Sequence, residues 1–123
     1  MQTHITQLFN FLKPTNWCQN YWYKDADNRN TLNSNSAAKF DIVGAIGYLF
    51  DGKTATSVKR YLESFLNEGS TKYLNYLYEN RKKDKNGKLE PLKRTDFSNL
   101  NAFNDEVDFN KVSGFLFDAT KNT

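Results

Sequence analysis

Residues 35–50 read Asn35-Ser36-Ala37-Ala38-Lys39-Phe40-Asp41-Ile42-Val43-Gly44-Ala45-Ile46-Gly47-Tyr48-Leu49-Phe50, and this stretch decides the fold. Ala38, Ile42, Ala45, Ile46 and Leu49 recur at helical spacing, and Phe40 and Val43 widen the apolar stripe. A helix that is apolar around most of its circumference belongs at the centre of a domain. The spacing predicts one helix over 35–50, capped by Asn35 or Ser36. Gly44 and Gly47 each cost such a helix about 1 kcal/mol relative to alanine. Keeping both implies that another backbone, or a ligand, comes close to that face, and helix packing is the simpler cause.

On the N-terminal side, Ile5, Leu8, Phe9 and Leu12 mark a helix over 3–13, with Thr3 placed to cap it. Pro14 ends it, because a residue before proline is pushed out of helical space. Residues 16–33 read as irregular or as a short hairpin. Their aromatics and Thr31 favour extended chain, while Asp27, Asn28 and Asn30 favour turns. On the C-terminal side, Asp51-Gly52 is a turn. Thr54 or Thr56 then caps a helix to about Asn67, with Val58, Tyr61, Leu62 and Phe65 inward. Gly69 stops it. Ser70 opens a helix carrying Tyr73, Leu74, Leu77 and Tyr78 on one face. Thr95 or Asp96 caps a short helix with Phe97, Leu100 and Phe103, which Asn104-Asp105 is expected to break. Asp108 caps the last helix, where Val112, Phe115, Leu116 and Ala119 line up. The sum is a mainly α fold: a compact bundle of about six short helices with one irregular or β-hairpin segment near 16–33.

The 123 residues are expected to form one domain with a sizeable core. Aromatics make up 15% of the chain, so they supply much of the buried area. No apolar run approaches the roughly 20 residues of a membrane span, and the N-terminus lacks the layout of a signal peptide. One cysteine, Cys18, excludes an internal disulfide, and a cytoplasmic protein is the expectation. One histidine, His4, and one cysteine leave no His/Cys zinc set within the chain. The spacing offers no Cys–His nucleophilic pair. No cofactor and no metal are expected.

Charge is uneven. Residues 81–94 hold Arg81, Lys82, Lys83, Lys85, Lys88, Lys93 and Arg94 against Asp84 and Glu90, a local +5 on a chain whose net charge is +3. Such a patch can steer anions, with Arg81, Lys82, Lys83 and Lys85 as the candidate contacts. It reads equally as a solvated loop kept soluble by lysine.

Two segments carry chemistry. Trp17-Cys18-Gln19-Asn20-Tyr21-Trp22-Tyr23-Lys24-Asp25-Ala26-Asp27 gathers both tryptophans, two tyrosines, an amide pair and two acids. Asn101-Ala102-Phe103-Asn104-Asp105 is the other. Aromatic rings can stack on a base, and Gln19, Asn20 and Asn104 can read its polar edge. The same residues can also pin irregular chain onto a core. Asp25 and Asp27 flank Ala26, so in a strand both carboxylates share one side, where they can hold a cation or share a proton. As an Asx turn they instead accept backbone N–H groups. Asp108 already caps the last helix, which frees Asn104 and Asp105 for a second task such as holding the Trp17–Asp27 segment.

Residues 47–54, Gly47-Tyr48-Leu49-Phe50-Asp51-Gly52-Lys53-Thr54, fit the letters of a phosphate loop. The context is wrong, because that loop follows a buried strand and Gly47 sits in a helical pattern. Tyr48, Leu49 and Phe50 are also bulky where the loop must bare its amides.

Trp17-x-Gln19, Lys24-Asp25-Ala26-Asp27, Phe40-Asp41-Ile42-Val43-Gly44-Ala45 and Phe103-Asn104-Asp105 occur in an order that resembles a family of small actinobacterial and bacteriophage proteins, itself uncharacterised. Its members show Trp-x-Gln, Asp-Ala-Asp-Gly, Trp-Cys-x-x-Gly-Ala and Trp-Asn-Asp motifs. The resemblance runs over residues 3–119, with an insertion around 69–93. Phe40 and Asp41 stand where Trp-Cys is usual, Phe103 replaces the last tryptophan, and Asn28 replaces the glycine of the turn. Loss of that cysteine counts against thiol chemistry as a shared function. The resemblance implies a phage-type origin, hence a host-cell cytoplasm, and brings no established activity.

The leading expectation is a non-catalytic binding protein that captures a small nucleotide-like ligand or blocks a host defence factor. Its ligand-binding candidates are Trp17, Gln19, Tyr21, Trp22, Asp25, Asp27, Asn104 and Asp105. A second reading is nucleic-acid binding through residues 81–94. A third is a small carboxylate-dependent hydrolase using Asp25, Asp27, Asp41 or Asp105. Tyr76, out of phase with the Tyr73–Leu77 stripe, is the expected contact of a homodimer or a host-protein complex.

Overall fold

The computed structural model describes residues 1–69 and 98–122. It is mainly helical, with a small antiparallel two-stranded ribbon. α1 spans Gln2–Phe11 and starts without a side-chain cap, so Thr3 does not serve as one. Asn16 closes its other end. The Asn16 side chain accepts from Lys13 N at 2.7 Å and donates to Phe11 O at 2.9 Å, satisfying a helix carbonyl that would otherwise lack a partner.

The ribbon pairs β1 (Tyr23–Lys24) with β2 (Lys39–Phe40), placing Tyr23 opposite Phe40 and Lys24 opposite Lys39. Its second strand therefore lies outside the expected 16–33 segment and inside the expected 35–50 helix. That helix is shorter than its apolar pattern suggests. α2 spans Ile42–Leu49, and its cap is Asp41, not Asn35 or Ser36. Residues Ser34–Ser36 form one 3-10 turn, started by Asn33, whose side chain accepts from Asn35 N at 2.9 Å. Residues 37–40 stay extended because their amides find distant partners. Ala38 N donates to Lys24 O at 2.8 Å and Phe40 N to Asn16 O at 2.7 Å.

α3 spans Gly52–Ser64 and continues into a π-helical turn, Phe65–Gly69. It begins directly after Asp51, so neither Thr54 nor Thr56 caps it; Thr56 Oγ1 donates instead to Gly52 O at 3.2 Å. α4 spans Ser98–Glu106, and α5 spans Phe109–Lys121. The start of α4 is held by α3. Both Glu63 carboxylate oxygens accept from α4 amides, Asn99 N at 3.1 Å and Leu100 N at 2.8 Å, a negative charge at a helix N-terminus. Asn104 and Asp105 do not break α4, which runs through them. Asp108 caps α5 as expected, accepting from Lys111 N at 3.0 Å.

α1 packs along α5, and α2 sits among α1, α3 and α4. The fully buried side chains include Ile5, Leu8, Ile42, Ile46, Leu62, Leu66, Leu100, Phe103, Phe115 and Leu116. No helix among the described residues is long and apolar enough to cross a membrane. The expected 70s helix, Tyr76, and the basic residues Arg81, Lys82, Lys83 and Lys85 lie outside the described residues.

Candidate functional site

Residues 17–24 form an arm laid across the N-terminal end of α2 and the C-terminal half of α4. What holds it is Asn104, whose side chain is fully buried at 0% exposure. Its Oδ1 accepts from Trp17 Nε1 at 2.8 Å and from Ile42 N at 3.0 Å. Its Nδ2 donates to Cys18 O at 3.1 Å and to Asp105 Oδ1 at 3.0 Å. A side-chain amide has two acceptor lone pairs and two donor hydrogens, so Asn104 is saturated. It joins the arm, the first turn of α2 and α4 at one point.

Neighbouring groups add to this junction. Gln19 Nε2 donates to Val107 O at 2.8 Å and to Asn104 O at 3.2 Å, supplying partners to a carbonyl in the last turn of α4 and to the one just past its end. Asn20 N donates to Asp105 Oδ1 at 2.7 Å. Asn20 takes the left-handed conformation there, with φ 74°, which asparagine tolerates better than most residues. Trp17 packs its ring against Phe109, centroids 5.6 Å apart. Trp17, Gln19, Asn104 and Asp105 are thus brought together, bonded to one another and to backbone.

Asp25 and Asp27 are elsewhere, at the tip beyond β1. Asp25 Oδ1 accepts from Asp27 N and from Arg29 N, both at 2.9 Å, and Asn28 N donates to Asp25 O at 3.0 Å. This is an Asx turn, and the two carboxylates are not joined in a shared site. Asn28 has φ 63°, a left-handed conformation that asparagine tolerates better than most residues.

The outer side of the arm is different. Tyr21 is 49% exposed and Trp22 is 54% exposed. With Asn20, Asn30, Thr31 and Leu32 they line an open cavity of about 410 Å³. Leu32 is 93% exposed, and Lys24 Nζ lies 5.9 Å from the centre of the Tyr21 ring. Sequence reading missed Asn30, Thr31 and Leu32. The one available signal was Leu32 itself, an isolated large aliphatic side chain within a polar stretch.

Beneath the arm lies Asp41, only 3% exposed. Its Oδ1 accepts from Gly44 N at 2.6 Å, and its own N donates to Trp22 O at 3.1 Å. Burial pushes the Asp41 carboxyl up to about 7; the Gly44 amide pulls it down and the Asp105 charge pushes it up. Burial, with Asp41 adding to it, also holds the Cys18 thiol up at about 11, and Cys18 Sγ donates to Tyr21 O at 3.4 Å. Such a thiol is protonated and a poor nucleophile at neutral pH. Burial raises Tyr23 above its ordinary value as well, with Asp41 again contributing.

The phosphate-loop letters at 47–54 fall on the end of α2 and the start of α3. No strand ends at Ile46, so the match has no phosphate-loop context. Among the described residues, no group of three or more His, Cys, Asp or Glu is placed to hold a metal ion. Compared with family models, with characterised proteins and with solved structures, the chain matches none. The family resemblance therefore rests on its four motifs alone.

Proposed function

We propose that this chain is a non-catalytic binding protein whose contact face is the outer side of the arm. The observation that carries the reading is the exposure of Tyr21 and Trp22 around one cavity. Folding places large aromatics in water only at a cost in unburied area, and clustered exposed aromatics mark contact sites. The cavity's volume of about 410 Å³ lies in the range of small-ligand sites. Its ring faces, the Asn20 and Asn30 amides and the Thr31 hydroxyl suit a planar group with a polar edge, as in a nucleotide-like ligand. Lys24 is near enough to meet an attached phosphate. Trp17, Gln19, Asn104 and Asp105 take the supporting role in this reading: they hold the arm that presents the face.

Each carboxylate proposed for hydrolysis is either engaged by backbone amides or, as with Asp27, separate from the others. Asp41 is also covered by the arm, beyond a substrate's reach. Leu32 favours a second occupant of the same face. Beside Tyr21 and Trp22 it extends an exposed apolar patch, and a contiguous patch suits a protein surface better than a small ring does. The phage-type origin rests on the motif resemblance.

Isothermal titration against a nucleotide panel, including cyclic and ADP-ribose-type compounds, tests the small-ligand form. Binding is expected for at least one compound, with at least a ten-fold loss in Trp22→Ala, equivalent to about 1.4 kcal/mol. The Trp22→Ala variant should keep the parent's unfolding midpoint. No heat with any compound would remove the small-ligand form and leave the host-protein form.

A further inference from the structure

Lys24 and Asn30 face each other across the hairpin that carries the tip, and the bonds flanking them fix which way the backbone points. Asp25 N donates to Arg29 O at 2.8 Å, and Thr31 N donates to Tyr23 O at 3.2 Å. In an antiparallel pair flanked this way, the N–H and C=O of the two facing residues turn outward. Those of Lys24 turn toward β2, where Ala38 N reaches Lys24 O at 2.8 Å. Those of Asn30 turn away from the ribbon, and neither has a partner among the described residues.

The ribbon is thus flanked by extended chain on both sides. Residues 16–18 meet the far side of Phe40, with Phe40 N donating to Asn16 O at 2.7 Å and Cys18 N to Phe40 O at 3.0 Å. The order across it is 16–18, β2, β1, 30–31. The first edge is closed by α4, because Asn104 bonds Trp17 Nε1 and Cys18 O. The second edge is open. Proteins commonly blunt such an edge with proline, charge or a covering element. Asn30, Thr31 and Leu32 carry neither proline nor charge, and Leu32 is 93% exposed. The cavity of about 410 Å³ lies beside this edge, with the same three residues in its wall.

Charge indicates what suits the edge. Tyr23 and Phe40 meet on the core side, ring centroids 5.8 Å apart. Lys24 and Lys39, the next residue pair, therefore share the outer side. Like charges directly opposite on neighbouring strands repel. Neither lysine has an ion-pair partner among the described residues. Lys39 Nζ donates to Asn28 Oδ1 at 3.3 Å, and Lys24 Nζ lies over the Tyr21 ring. Asp25, at the tip, already accepts from the Asp27 and Arg29 amides.

We propose that the open edge takes an extended, acidic segment of a partner protein as an added strand. The partner's backbone meets the N–H and C=O of Asn30, its carboxylates reach Lys24 and Lys39, and an apolar side chain enters the cavity beside Trp22 and Leu32. A small ring fills the cavity but leaves the Asn30 backbone unpaired. A second copy of this chain doubles the lysine charge on one face. The added strand rests on the outer side of the arm being the contact face, and it names the partner there.

The probe is a pool of fluorescein-labelled peptides built from Asp, Glu, Val, Thr and Phe, with a matched pool carrying Lys and Arg in place of the acids. Fluorescence anisotropy should show binding of the acidic pool alone, weakened by added salt. For the tightest acidic peptide, Asn30→Pro should cost about ten-fold or more in affinity, because it removes an edge N–H that bonds nothing within the chain. Should Asn30→Pro fail to fold, the peptide is N-methylated at alternate residues instead. Methylation in one phase should abolish binding, and methylation in the other should spare it. Equal binding of the two pools overturns the proposal. So does peptide binding that is unchanged in Asn30→Pro or equally sensitive to methylation in both phases. Self-association that Asn30→Pro abolishes, seen by sedimentation, assigns the edge to a second copy and overturns the acidic partner. Absence of peptide binding while a nucleotide binds overturns the added strand alone. Absence of both removes the contact face as well.

Discussion

Asn104→Ala is expected to destabilise the fold by about 4 kcal/mol, one of the two largest effects in the chain. The variant strands Trp17 Nε1, Ile42 N and Cys18 O, three groups that Asn104 satisfies from a fully buried position. Each buried group left without a partner costs about 1–3 kcal/mol, and water entering the vacated space recovers part of the sum. Ile42 N is also one of the orphan amides in the first turn of α2, so the loss reaches the central helix. Asn104→Asp should be comparably damaging although its shape is retained. It removes the donor to Cys18 O and adds a negative charge beside Asp105 and Asp41. Urea unfolding checks both, with half-exposed Asn101→Ala as the reference; that variant should stay within about 0.5 kcal/mol of the parent.

The second large effect is Gly44→Ala. On helix propensity alone this change favours the helix by about 1 kcal/mol. A β-carbon at Gly44 would stand 2.1 Å from Trp22 O and 2.8 Å from Trp22 C. Both are backbone atoms, so no rotamer change clears them. The expected cost is about 3 kcal/mol or more, together with displacement of the arm. Gly47→Ala is the contrast. Its β-carbon would meet only Tyr23 Oη, at 3.2 Å, the far end of a side chain that can shift slightly. Unfolding midpoints should place Gly47→Ala within about 1 kcal/mol of the parent. Equal behaviour of the two glycines would contradict the close approach of the arm at Gly44.

Where partners were local, the sequence was a sufficient guide. Asp108 and the Val112–Phe115–Leu116–Ala119 stripe define α5 from the spacing alone. The two glycines of α2 led to the expectation of a closely packed helix; at Gly44 the close backbone is instead that of Trp22 in the arm, and at Gly47 only the Tyr23 side chain approaches. The start of α2 was not legible for a physical reason. Ala38, Phe40 and Ile42 fit both a widened helical stripe and strand alternation. The choice is made by Asn16 and Lys24, which bond residues 38–40 from other parts of the chain. Asn104-Asp105 misled in the same way. Asparagine and aspartate favour caps and turns when their side chains bond locally. Here their side chains bond to the arm and to the first turn of α2, both distant in sequence, so the helix continues. The candidate cluster was visible as a composition, but its division was not. Nothing local distinguishes Trp17, which is tied to Asn104, from Trp22, which faces solvent.

That division into an inner half that holds and an outer half that is presented is tested most directly by hydrogen exchange at the two indole N–H groups. Trp17 Nε1–H is bonded to buried Asn104, whereas the Trp22 ring is 54% exposed. NMR-detected exchange should show the Trp17 indole proton protected by about 100-fold or more relative to that of Trp22. Equal exchange rates, or slower exchange at Trp22, would contradict the account.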